Sequence, residues 1–245
     1  MCGRYSIGKG PTQLAAELEA SLAIEPGTPE AEKARFNIAP SQRAPMLIAH
    51  PDRRLGMARF GWRLDGKKGL LLNARSETSQ KNGLFRAALE RRRALIPADG
   101  FYEWKVREGT GKKPEKDPFF LHQEGALITF AGLYYVEKGL DEEATNTNTN
   151  PSPDRKSASF VIMTTAASPQ IAVVHDRMPI IVPPEWRSDW LDVRLPVDEL
   201  LTELMHLPPP IQMRLVSPRV GSPTNDDPTL HDPLAHPDPE MRPDR

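Results

Sequence analysis

The chain has 245 residues, 38% of them hydrophobic and 27% charged, with a formal net charge of -1 and one cysteine. That length accommodates one large domain or two small ones around a sizeable core. A single cysteine excludes an intramolecular disulfide framework and a cysteine-rich zinc module. No basic leader runs into an apolar segment, and nothing approaches the roughly 18 apolar residues of a membrane span, so a soluble, intracellular product with no membrane partner is expected.

The near-neutral total hides an asymmetry. Residues 35–107 hold sixteen Lys or Arg against six Asp or Glu, residues 137–154 one against five, and residues 218–245 three against six. One face could bind a polyanion while the whole stays almost uncharged, although the acidic flanks could equally neutralise the basic stretch internally.

After a short extended start, Pro11, Thr12 and the leucines Leu14, Leu18 and Leu22 predict an amphipathic helix with an apolar residue at every fourth position. Phe36-Asn37-Ile38-Ala39-Pro40 reads as a turn leading into a strand over residues 44–49, and residues 70–73 form another short strand. A helix over residues 83–93 would bury Leu84, Phe85, Ala88 and Leu89. Its Arg91-Arg92-Arg93 end suits a phosphate contact, or simply the negative end of the helix dipole. Strands are predicted at 94–96, 100–106, 118–121, 126–136 and 159–165. Their aromatic and β-branched content, with Gly and Pro punctuation, favours a mostly antiparallel or mixed sheet over repeated βαβ units. Residues 136–157 enclose a polar low-complexity loop around Thr145 to Pro151, and a short helix is expected over 197–206. Beyond about Val220 the Pro- and Asp-rich chain predicts a few ordered residues as a lid and then a loose tail that carries His231 and His236.

No P-loop, dinucleotide fingerprint, metalloprotease helix or EF-hand is present, and the six histidines form no ligand spacing, so neither cofactor nor metal is expected. The chemistry-bearing candidates are few. Loss of Met1 would leave Cys2 with an α-amine and a thiol on neighbouring atoms, and both keep useful nucleophilic fractions near neutral pH. An aldehyde would be taken by the amine as an imine and closed by sulfur into a thiazolidine; the alternative is that Cys2 is a small buried hydrophobe. Glu103 stands between Tyr102 and Trp104 in a predicted strand. Burial there would keep it protonated as a general acid, whereas simple alternation would point it to solvent. His175, ahead of Asp176 and Arg177, is either a proton shuttle or an ordinary half-buried histidine. Asn73 offers an amide to orient a nucleophile, and Arg75 and Arg177 carry forked donors suited to phosphate.

Together these segments resemble the SRAP (SOS response-associated peptidase) family, which includes the protein that shields abasic DNA sites by covalent attachment. The matching features are Met1-Cys2-Gly3-Arg4-Tyr5, Phe36 to Pro40, Asn73-Ala74-Arg75-Ser76-Glu77-Thr78, and Pro97-Ala98-Asp99-Gly100-Phe101-Tyr102-Glu103-Trp104. Phe130-Ala131-Gly132-Leu133, Thr164-Thr165-Ala166-Ala167 and His175-Asp176-Arg177-Met178-Pro179 continue the match in order. The resemblance implies an α+β fold with a mixed or antiparallel β-barrel-like core, flanking helices and a positively charged DNA cleft. It implies a catalytic and DNA-binding domain over residues 2–227 and a flexible acidic, Pro-rich tail over 228–245. The implied activity is crosslinking through Cys2 to abasic sites in single-stranded DNA, with accompanying lyase and autoprocessing peptidase activity. Asn73, Glu103 and His175 would assist Cys2, while Arg4, Pro40, Arg75 and Arg177 would hold DNA. Single-stranded DNA with abasic sites is the implied partner, at a replication fork or duplex junction. The protein would act as a cytoplasmic monomer, nucleoid-associated in a bacterium.

The sequence also departs from the family. Phe60-Gly61-Trp62-Arg63-Leu64-Asp65-Gly66 stands where a Trp-Gly-Leu-x-Pro-x-Trp-like stretch is common. The second aromatic, which wedges against a base, is therefore missing unless Trp62 supplies it; one such stack is worth roughly 1 to 3 kcal/mol. Ser168 and Gly221 replace usual asparagines. Three other readings compete: a thiol autopeptidase built on Cys2, Glu103 and His175, a noncovalent single-strand DNA-binding module, and a structural domain that binds neither DNA nor aldehyde.

Overall fold

The computed structural model describes residues 2–49, 52–63, 69–107, 114–136, 158–206 and 210–234. The chain opens with strand β1 (Tyr5–Ile7), helix α1 (Pro11–Glu17) and strand β2 (Ser21–Leu22). Pro11 starts α1, as suits a residue lacking an N–H, and Leu14 and Leu18 are buried. The helix stops before Leu22 because Glu19 takes φ 51° and Leu22 joins a sheet beside Leu55. Helix α2 (Pro29–Glu32), capped by the Thr28 hydroxyl, leads into β3 (Arg35–Ile38), β4 (Arg43–Ala49), β5 (Arg53–Phe60) and β6 (Trp62–Arg63). Phe36, Asn37 and Ile38 thus lie in a strand, and the predicted turn is confined to Pro40 and Ser41, where Ser41 has φ 70°.

Next come β7 (Leu70–Leu71), β8 (Asn73–Arg75), α3 (Ser76–Ser79), α4 (Gly83–Arg91), β9 (Arg93–Ala98) and β10 (Gly100–Val106). Arg93 belongs to β9, not to the end of a helix. It is buried, donates to the carbonyls of Asp192 and Leu195, and lies over the Trp190 ring, so it is not a phosphate contact. The remaining elements are β11 (Lys116–His122), β12 (Ile128–Val136), β13 (Ala158–Ala166), α5 (Pro169–Ala172), β14 (Arg177–Pro179), α6 (Arg187–Leu191), α7 (Val197–His206) and β15 (Gln212–Leu215). Three 3-10 turns, Pro184–Trp186, Pro218–Gly221 and Pro228–His231, complete the described chain. The low-complexity loop around Thr145 to Pro151 lies outside the described residues.

The fold is α+β. One sheet has the order β15-β11-β10-β1-β3, and a larger one runs β14-β13-β12-β9-β4-β5-β2 with β8 added beside β13. Because β5 also pairs in parallel with β13, the pairings from β13 through β12, β9, β4 and β5 close into a ring around the main core. That ring is the barrel-like feature. Strand β10 runs antiparallel to β11 from Gly100 opposite His122 to Val106 opposite Lys116, and only glycine fits at position 100, where a Cβ would come 2.4 Å from the Leu121 carbonyl.

Strand β10 is covered on both faces. Phe101 joins the main core, while Tyr102 packs with Phe120, Val216, Val220 and Leu230 in a second apolar cluster. The second cluster corrects the expected tail. Leu230 is fully buried, and His231 bonds the Ser6 hydroxyl at 2.7 Å and stacks on Phe120 with ring centroids 4.1 Å apart. Residues 228–231 are therefore anchored structure, while His236 falls outside the described residues. Among the described residues no helix is long and apolar enough to cross a membrane.

Candidate active site

Cys2 lies three residues ahead of the start of β1 and has no exposed surface. Pairing of β1 with β10 sets Tyr5 opposite Phe101, and the Tyr102 N–H donates to the Arg4 carbonyl. The N-terminal segment is thereby fastened beside Glu103. From the other side, β8 pairs in parallel with β13, and this brings the Asn73 amide to 3.0 Å from the Cys2 carbonyl, to which it donates. The Asn73 Oδ1 atom is buried with no hydrogen-bond partner among the described residues, so it keeps an acceptor available.

Glu103 shares the face of β10 that carries Phe101, since strand side chains alternate. It is 4% exposed. Burial pushes its carboxyl up to about 7 against the pull of the positively charged amino terminus, with Asp176 adding a little to the rise and Lys116 a little to the opposition. His175 follows α5, and its Nε2 lies 4.0 Å from the nearer Glu103 oxygen. Its Nδ1 accepts the Arg177 backbone N–H at 3.0 Å. That bond needs the Nδ1 lone pair, so the hydrogen-bond network assigns the proton of neutral His175 to Nε2, facing Glu103. Asp176 also lies 3.0 Å from Nδ1, but its side chain is 86% exposed and well hydrated. The Asp176 contact calls for a proton on Nδ1, in the neutral or the protonated ring, whereas the Arg177 N–H calls for a lone pair there, and the carboxylate is the more solvent-screened of the two. Burial holds His175 below its ordinary value, favouring the neutral ring.

The Cys2 thiol is also perturbed. Burial pushes it far above its ordinary value and the nearby charge of Glu103 adds to the rise, while the charge of the amino terminus and then the Arg4 backbone N–H oppose it. Cys2, Asn73, Glu103 and His175 therefore meet in one place, where the thiol is protonated, the carboxyl titrates near neutrality and the imidazole is neutral.

The four expected cations and turn residues divide. Arg4 borders the site, with its guanidinium over the Trp104 ring at 5.9 Å and bonded to Asn37 Oδ1 at 2.9 Å and the Val220 carbonyl at 2.7 Å. Arg177 is only 13% exposed and grips Glu77 with both Nη atoms, at 2.6 and 2.9 Å, and the Thr164 carbonyl at 2.8 Å. Arg75 extends into solvent from the end of β8, and Pro40 sits half-buried on the β3–β4 turn. Among the described residues, neither Arg75 nor Pro40 hydrogen-bonds to the central four through a side chain. Trp62 does not replace the missing wedge. It is buried between Phe85 and Tyr135, and its indole N–H is used on the Ser159 carbonyl. No group of three or more His, Cys, Asp or Glu side chains among the described residues is placed to hold a metal ion.

The family model described as SOS response associated peptidase (SRAP) matches residues 1–223. The chain belongs to the SRAP family. Curated relatives include the abasic site processing protein YoaM of Bacillus subtilis, 31% identical over 236 residues, with 92% of this chain and 95% of YoaM covered. The abasic site processing protein YedK of Escherichia coli is 28% identical, with 78% of this chain and 79% of YedK covered. A solved phage-related protein of Bordetella bronchiseptica matches with a TM-score of 0.65 at 26% identity, covering 88% of this chain and 94% of that one. A Bacteroides thetaiotaomicron protein matches with a TM-score of 0.71 at 17% identity, over 96% and 100% of the two chains, a likeness of fold.

Within this SRAP chain, two contributors escaped the sequence reading. Asn37 was visible inside the Phe36–Pro40 motif, but a polar residue in an expected turn gave no hint that it would be fully buried against Arg4. Glu77 sits beside Arg75 in sequence, yet it is spent on Arg177, a hundred residues away. The Gly221 departure is benign in space, because a Cβ added there would meet nothing within 4 Å.

Proposed function

We propose that the chain processes abasic sites in single-stranded DNA by covalent capture through Cys2, once Met1 has been removed. The observation that carries this reading is the convergence on Cys2 of Asn73, 3.0 Å from its carbonyl, and of a Glu103–His175 pair 4.0 Å apart. The names of the SRAP relatives support abasic DNA as the substrate.

The chemistry follows from the proton positions. An abasic sugar is mostly a closed hemiacetal, and Glu103, held near 7, has an acid form able to protonate the ring oxygen as the aldehyde opens. The Cys2 amine adds to the aldehyde carbon, and the resulting carbinolamine loses its hydroxyl as water to give an imine. Sulfur then adds to the imine carbon while the thiol proton leaves and the nitrogen gains one, which closes the thiazolidine. Because the buried thiol stays protonated, its proton must be removed as sulfur attacks, by the Glu103 carboxylate or by neutral His175. Asn73 orients the nucleophile through the Cys2 carbonyl. Arg4 and Arg75 hold backbone phosphates, Arg177 does so by exchanging the Glu77 carboxylate for phosphate, and Pro40 lines the path of displaced bases.

A thiol peptidase fits less well, since a thiolate nucleophile calls for a lowered thiol pKa and Cys2 has a raised one. The test compares the chain lacking Met1 with its Cys2→Ala variant on single-stranded DNA carrying one abasic site. The variant is expected to bind the oligonucleotide yet form no denaturation-resistant crosslink, while its remaining amine gives an adduct only after borohydride reduction. An undiminished stable crosslink in Cys2→Ala would overturn the reading.

A further inference from the structure

The Phe36–Pro40 motif has a polar residue at its centre that the chemistry above leaves unused. Asn37 is fully buried in β3, and every polar atom of its side chain is engaged. Its Oδ1 accepts the Arg4 guanidinium at 2.9 Å. Its Nδ2 donates to three carbonyls of one C-terminal segment, those of Val220 at 3.2 Å, Ser222 at 3.0 Å and Asn225 at 2.7 Å. These partners fix the amide orientation, because a flipped amide would set its NH2 against the guanidinium and its oxygen against three carbonyls.

The same C-terminal segment is tied to β3 a second time. Asp226 accepts the Phe36 and Asn37 backbone N–H groups at 2.5 and 3.0 Å through one oxygen and the Arg35 Nε at 2.8 Å through the other. Val220, fully buried in the second apolar cluster, presents a carbonyl that Arg4 and Asn37 share. Arg4 is therefore held by two acceptors, the Val220 carbonyl that residues 217–227 supply and the Asn37 Oδ1 that they orient. One further bond, from the Tyr102 N–H to its carbonyl, sets the Arg4 backbone next to Glu103.

We propose that residues 217–227 form a clasp which, through Asn37, aims the Arg4 guanidinium at the nucleic-acid backbone, making Asn37 a positioning residue for capture. The inference rests on the function proposed above for Arg4. A long cation left free would spread over many rotamers, and ordering it in advance removes that entropy from binding. The clasp reaches the site from the end of the chain most distant in sequence, so the contact is made only in the folded molecule.

The experiment is a double-mutant cycle on the mature full-length chain with Arg4→Ala, Asn37→Ala and the pair, read by affinity for an undamaged single-stranded oligonucleotide across a salt series. Asn37→Ala is expected to weaken binding about tenfold, as for loss of one charge-assisted contact. It should also lower the salt slope by about 1, and adding Arg4→Ala should cost almost nothing more. Asp226→Asn, which loosens the clasp without touching Arg4, should give a smaller loss that is likewise absent in the Arg4→Ala background, and it serves if Asn37→Ala does not fold. Nuclear magnetic resonance of the Arg4 Nε–H in the absence of DNA separates positioning from DNA binding. A slowly exchanging signal in the parent that averages out in the clasp variants supports the clasp whatever the DNA result. An unchanged Arg4 signal, or fully additive losses in the cycle, would overturn it. If Arg4→Ala binds DNA as the parent does while the Arg4 signal responds to Asn37, the clasp stands and the phosphate role of Arg4 fails.

Discussion

Two clusters of buried titratable groups lie on opposite faces of the sheet that contains β10, and they have been tuned in opposite directions. On the Phe101 face, burial lifts the Glu103 carboxyl to about 7, with His175 held neutral 4.0 Å away. On the Tyr102 face, His231 is stacked on Phe120 and bonded to Ser6, and burial with the charge of Arg214 pushes it down to about 4. Its neighbour His122 accepts from Arg214 at 2.8 Å and is lowered for the same reasons. Burial disfavours the charged form in both places. For the carboxylic acid this moves titration into the neutral range, where proton transfer is useful. For the imidazole it moves titration out of that range and leaves a neutral ring as a packing element.

The largest expected effect separates the clusters by rate. Glu103→Gln should slow crosslinking about 10² to 10⁴-fold, the usual contribution of a positioned acid or base. The acid form of Glu103 is lost as pH rises through about 7, so the parent rate should fall above that pH, and the Gln variant should lose this inflection. An inflection that survives would move the role to His175. By contrast, Leu230→Ala should cost about 2 to 5 kcal/mol of stability in denaturant titration. It should leave the pH of the rate inflection where it was.

A subtler contrast is the sign of the pH–stability slope. His231 titrates at 6.5 when unfolded and about 4 when folded, so between those values the unfolded chain binds more protons and stability is lost as pH falls. That loss should be about 3 kcal/mol at most and vanish in His231→Gln. Glu103 works the other way. Its folded value of about 7 lies above 4.5, so it contributes stability at low pH that is lost as pH rises through that window. Glu103→Gln should therefore melt higher than the parent at pH 8, a stability gained at the expense of activity. The smallest effect should come from Gly221→Asn, which restores the usual family residue in open space and should shift stability by no more than about 0.5 kcal/mol.

The two faces also differ in how legible they were. The strand over 100–106 and the helix over 197–206 match the β-rich and amphipathic patterns that predicted them. The fate of Glu103 could not be read from alternation, because alternation assumes one wet face and residues 100–103 of β10 have none. The second face was hidden for a related reason: Leu230 is a lone apolar residue among Pro and Asp, and nothing local announces that it fills a pocket formed by Tyr102, Phe120 and Val220. Arg93 was misread as a helix end because an arginine buried on backbone carbonyls in a strand has the same sequence signature as one in water.

The central claim is that Cys2, freed of Met1, is the atom pair that captures the lesion. Intact mass spectrometry of the mature chain mixed with single-stranded DNA carrying one abasic site, followed by peptide mapping, tests it most directly. The account predicts a species of protein plus oligonucleotide minus one water, with the adduct on residue 2. An adduct on a lysine, or no covalent species under conditions where the oligonucleotide is bound, would contradict it.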